Sequence, residues 1–86
     1  MKAETIDTRE FKRLLRISLG DGQDQANAYF KLTLLEAIRI SNGDFSADLP
    51  KHVASIGTEI LGETQAGVVI AECSDVLARQ VEQSPT

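Results

Sequence analysis

The amino-acid sequence predicts an all-α fold, a small helical bundle of four helices arranged as two antiparallel hairpins. Three observations lead there. Apolar residues recur at helical spacing in four segments, glycine-marked polar turns separate those segments, and no convincing alternating segment offers a strand to pair with another. At 86 residues the chain reads as one domain, 1–86, with 1–6 and 83–86 as flexible ends. A domain this size buries roughly 60–65% of its unfolded surface, enough for one core with little to spare.

The first helix is predicted over 8–19. Asp7 stands as its cap, Glu10 three residues on as a capping-box acid, and Ile6 and Phe11 at the two staple positions. At 100° per residue Phe11, Leu14, Leu15 and Ser18 share one face, and Arg9, Lys12, Arg13 and Arg16 share the opposite one. Gly20 is the expected stop, opening a polar turn through Gln25. Asp21 and Asp24 in that turn lack the ligand spacing and closing glutamate of a calcium loop.

The second helix is expected at about 25–41, capped by Asp24 and stopped by Asn42-Gly43. Ala26, Phe30, Leu34, Ala37, Ile38 and Ile40 form a broad apolar face, yet Ala28, Leu32 and Leu35 lie on the far side. A helix apolar nearly all round belongs at the centre of a bundle or at a subunit interface. Pro50 suits the first turn of a third helix, with Ser46 or Asp48 as cap and Gly62 as stop. Its stripe is Leu49, Val53, Ile56 and Ile60, widened by Gly57 and Leu61.

The segment from Gly67 to Ala71 could be read as a buried strand. Ala66, Val69, Ile70, Cys73, Val76, Leu77 and Val81 recur at helical spacing, however, and predict a fourth helix over about 65–82. Beside them Gly67, Ala71, Ser74 and Ala78 form a row of small residues, which allows a neighbouring helix to approach closely. At an offset of 42, Phe11, Leu14, Leu19 and Gly20 align with Val53, Ile56, Leu61 and Gly62, a pattern that invites an internal-repeat reading.

Charge divides along the chain. Residues 1–16 carry +2 and the remaining seventy carry −6, so a basic N-terminal arm sits on an acidic body. The single cysteine, Cys73, excludes an internal disulfide, and no ligand cluster suggests a metal or other cofactor. With no signal-like run and no stretch of the ~18 apolar residues a span requires, the expected setting is cytoplasmic and away from membranes.

Candidates for chemistry are few. His52, Ser55 and Glu59 line one polar helix flank, where they cannot converge on a water-excluding pocket. Cys73 stands in an apolar stripe between Glu72 and Asp75, surroundings that suppress a thiolate. No catalytic residue is assigned. The stretch Ile56 to Val69 resembles a helix-turn-helix, but its second helix offers Glu63, Glu72 and Asp75 and no cation before Arg79. DNA affinity comes mainly from phosphate-neutralising cations, so nucleic acid is not the favoured partner.

The expected function is non-enzymatic protein–protein interaction, as a small regulatory, inhibitory or adaptor protein. Two faces are candidates: Arg9, Lys12, Arg13 and Arg16 for an acidic partner protein, and Ala28, Leu32 and Leu35 for self-association as a homodimer. The alternatives are a nucleic-acid-binding regulator, using that basic face or the 56–69 unit, and a self-assembling structural subunit.

Overall fold

The computed structural model describes residues 6–83, with side chains through residue 79. Four helices follow one another: α1 (Thr8–Asp21), α2 (Gln23–Ile40), α3 (Asp48–Leu61) and α4 (Glu63–Gln83). Val68 to Ala71 lie within α4, so the helical period decides that segment and the strand reading falls away. Of the ends expected to be loose, 1–5 and 84–86 lie outside the described residues. Ile6 packs against the core, and Gln83 is the last residue of α4.

The start of α1 forms as its sequence requires, with one change. Asp7 caps it, its Oδ1 accepting from the backbone N–H of Arg9 at 3.1 Å and of Glu10 at 3.2 Å. Such a cap stabilises a helix by about 1 kcal/mol. The reciprocal arm of the capping box is missing because the Glu10 carboxylate is taken by the guanidinium of Arg13, one turn along. Their hydrogen bonds hold the Glu10 carboxyl below its ordinary range.

Within each hairpin the helices are joined by a single residue. Gly22 ends α1 and begins α2 at φ 143°, and Gly62 does the same for α3 and α4 at φ 92°. These are backbone states that side chains disfavour, so glycine makes such a sharp join possible. Gly20, expected as the stop, stays helical inside α1, and no side chain caps α2 in the place expected of Asp24. The junctions at 22 and 62 put the two hairpins at an offset of 40. The aligned buried pairs Phe11 with Val53 and Leu15 with Gly57 keep the offset of 42, so no single repeat register describes both.

Between the hairpins the chain turns as predicted at Asn42 and Gly43, both left-handed at φ 60° and 82°. The Gly43 N–H donates to the Ile38 carbonyl at 2.8 Å, satisfying an orphan acceptor of α2. Ser46 does not cap α3. Its N–H and hydroxyl both donate to Asp44 Oδ1, and Ala47 is the residue at the cap. Asp48 is instead the first helical residue, and Pro50 fills the first turn, where its missing donor is not needed.

The pairwise contacts give the bundle a diamond cross-section. α2 and α3 touch each other, and each touches both α1 and α4, while among the described residues α1 and α4 do not meet. Between them the helices bury Phe11 and Leu15 of α1, and Ala26, Phe30, Leu34, Ala37 and Ile38 of α2. Val53 and Ile56 of α3 and Ala66, Val69 and Cys73 of α4 complete the core. A close contact joins α2 and α3, where Gly57 faces the ring of Phe30. The small-residue row of α4 was expected to supply such a contact and does not. Gly67, Ala71, Ser74 and Ala78 are exposed, and nothing lies within 4 Å of where a Gly67 side chain would begin.

Candidate functional site

In a diamond-shaped bundle the two central helices each turn one face outward between α1 and α4, and here the two faces differ in chemistry. On α3 the exposed residues are Asp48, Lys51, His52, Ser55 and Glu59, a polar row. On α2, past its first turn, the exposed residues are Ala28, Leu32, Glu36 and Arg39. Leu32 is 67% exposed, more than either of the other large exposed apolar residues among those described, Ile17 at 53% and Val68 at 52%. Ala28 is exposed and Leu35 half-buried against the core. The far side of α2 is therefore left open at Ala28 and Leu32, while Leu35 is partly covered by the chain's own helices.

Leu32 stands on a ridge with a groove on either side. Between α2 and α4 a groove of about 470 Å³ is lined by Leu32, Leu35, Ile38, Val76 and Leu77, with Glu36 and Arg39 on its rim. Between α2 and α1 a second, of about 370 Å³, is lined by Ile6, Phe11, Tyr29, Leu32 and Thr33, with Asp7, Glu10 and Glu36 at its edge. The charges along the ridge are organised within the chain. Arg39 donates to the Glu36 carboxylate from Nε and Nη2, which holds the Glu36 carboxyl below its usual range. Ridge, grooves and polar rim form an apolar-centred surface with charged edges.

The basic face of α1 fares differently. Lys12 Nζ lies 3.0 Å from Glu59 Oε2, Arg16 approaches the same oxygen at 3.9 Å, and Arg13 is tied to Glu10. Three of the four cations thus face acids of the same chain, two of them across the α1–α3 seam. Arg9 is exposed, its backbone N–H on the Asp7 cap. Exposed pairs of this kind contribute little to stability, but they lower the field that an acidic or phosphate partner would meet.

The remaining candidates are placed apart. Glu59 is engaged with α1, while His52 and Ser55 are exposed on the polar row of α3. Cys73 is buried, and burial, reinforced by Glu72 and opposed by Lys31, pushes its thiol pKa up. A buried, protonated thiol is a poor nucleophile. Among the described residues no group of three or more His, Cys, Asp or Glu comes together as ligands for a metal ion, and no helix is long and apolar enough to cross a membrane. The 56–69 unit is α3, Gly62 and the start of α4, joined more sharply than a three- or four-residue turn would allow. The chain matches no protein family, no curated protein and no solved structure.

Proposed function

We propose that this chain is a non-enzymatic protein–protein interaction module, a small regulatory, inhibitory or adaptor protein, and that it docks through the outward face of α2. One observation carries the reading: of two central helices, α3 turns only polar residues outward, whereas α2 turns Ala28 and the 67% exposed Leu32 outward beside Glu36 and Arg39. Leaving a leucine in water forgoes roughly 1.5–3 kcal/mol of burial. A chain with a minimal core has reason to do so where another surface supplies that burial. The nucleic-acid reading draws less support, because Lys12, Arg13 and Arg16 already face Glu59 and Glu10.

A photo-crosslinking amino acid placed at position 32 tests the proposal in the native cell. Activated there, it is expected to give one or a few discrete protein adducts. The same probe at Val68, comparably exposed on α4, gives none. Equal smears from both positions, or no adduct from either, would contradict docking through α2.

A further inference from the structure

We infer that the turn between the two hairpins is a site of spontaneous covalent modification, in which the Asn42 side-chain amide is converted to a carboxylate through the Gly43 backbone nitrogen, at a rate gated by the cap of α2. The inference is independent of the docking reading above.

The reactive pair is the first ground. Cyclisation of an asparagine requires the next backbone nitrogen to reach its side-chain carbon Cγ, and a side chain on that next residue obstructs the approach. Gly43 has none. Both residues are exposed, and nothing lies within 4 Å of where a Gly43 side chain would begin. The other asparagine of the chain, Asn27, is half-buried inside α2 and is followed by Ala28.

The reaction needs only hydroxide and water. Hydroxide takes the Gly43 N–H proton, the nitrogen forms a bond to Asn42 Cγ, and the side-chain amide nitrogen leaves as ammonia. Water then opens the five-membered succinimide at either of its carbonyls. One opening gives aspartate at position 42; the other gives isoaspartate, with the chain now running through the side chain. One water is consumed and one ammonia released, and nothing is oxidised or reduced.

The fold supplies the gate. Asn42 and Gly43 follow α2 in the left-handed region, at φ 60° and 82°. The Asn42 N–H donates to the Arg39 carbonyl at 3.1 Å and the Gly43 N–H to the Ile38 carbonyl at 2.8 Å, the paired bonds that close a helix end. The attacking nitrogen is thus the donor of the shorter bond, and it stays engaged until the cap opens. Such opening is local and leaves the bundle folded. After glycine, asparagine is among the residues that best tolerate the left-handed state. The residue suited to ending α2 is therefore also the one the turn can modify.

Modification in turn removes the cap. Isoaspartate adds a methylene to the backbone between Ile38 and the Gly43 N–H, so the closing bond loses its register. Either product also sets a negative charge at the negative end of the α2 dipole.

The test incubates the whole protein at neutral pH, folded or in guanidinium chloride, and follows both asparagines by mass spectrometry of peptides. Electron-based fragmentation separates isoaspartate from aspartate. Asn42 is expected to convert in both samples, roughly 10–100-fold more slowly in the folded one, because two hydrogen bonds must open first and each holds it back a fewfold to tenfold. Conversion of the folded chain should rise with hydroxide concentration, and Asn27 should stay intact there. The converted fraction, isolated by its added negative charge, should unfold at lower denaturant than its parent. Equal rates in the two samples, or a folded chain still unmodified after ten half-lives of the unfolded one, overturns the gated site. A converted fraction that unfolds together with its parent overturns the loss of the cap.

Discussion

Truncating Phe30 to alanine is expected to cost about 3–5 kcal/mol, the range for removing a buried aromatic from a core. Phe30 is fully buried at the middle of α2, stacked on Phe11 at 6.3 Å between ring centroids, and its ring reaches α3 at Gly57. Its removal opens space at the contact between the two central helices, where α1, α2 and α3 meet. Stability of roughly 0.05–0.15 kcal/mol per residue leaves a chain this short little beyond that cost. Urea unfolding followed by circular dichroism checks this against Val68→Ala, an exposed truncation expected to lie within about 0.5 kcal/mol of wild type. Equal midpoints for the two variants would contradict the central position of α2.

Gly57→Ala is expected to destabilise by about 1–3 kcal/mol, the reverse of what alanine does in most helix interiors. A Cβ at this position would lie closer than 3.0 Å to three carbons of the Phe30 ring. That ring has no room to swing, being fully buried with Phe11 and, beyond it, Tyr29 alongside. Gly67→Ala is the matched comparison. It is also inside a helix, but nothing lies within 4 Å of the new methyl, so it should stabilise by roughly 0.5–1 kcal/mol. Adding Phe30→Leu to Gly57→Ala should recover part of the loss, since the two changes act on one contact. Should Gly57→Ala stabilise as much as Gly67→Ala, the close packing of α2 on α3 would be wrong.

This pair of glycines also marks where reading the chain stops short. Gly57 belongs to the apolar stripe of its helix and Gly67 lies beside one, but sequence spacing does not say which glycine a large side chain from another helix will meet. The row of small residues at 67, 71, 74 and 78 pointed to close approach on α4, whereas Phe30 supplies it on α3. The stop of α1 was missed for a related reason. Gly20 and Gly22 are equally able to end a helix, and the φ of 143° at Gly22 belongs to a junction defined by how two packed helices meet. Helix number and type, by contrast, were legible in local signals: the Asp7 cap, Asn42-Gly43, Pro50, and the helical period through Val69 and Cys73.

The candidate site was legible in part. Leucine on two sides of α2 marked it in the chain, because one bundle can cover only one broad face of a helix. Its grooves were not visible, since they depend on α1 and α4 standing apart on either side of Leu32. The basic face of α1 stood out from charge spacing alone, but the acid that answers it, Glu59, lies more than forty positions away and reaches Lys12 and Arg16 through the α1–α3 packing. Opposite charges are recognised by distance in space, which a linear charge count does not contain.

Docking through the outward face of α2 is tested most directly by hydroxyl-radical footprinting of the protein at its native concentration in extract from its own cells. Leu32, Ile17 and Val68 are internal standards for one another, at 67%, 53% and 52% exposure. Free in water, Leu32 should be oxidised at least as readily as the other two. The account predicts instead that Leu32 is protected while Ile17 and Val68 react at rates in keeping with their exposure, and that protection is lost when the protein is purified and diluted below the micromolar range. Oxidation of Leu32 in the extract as fast as that of Val68 would contradict it.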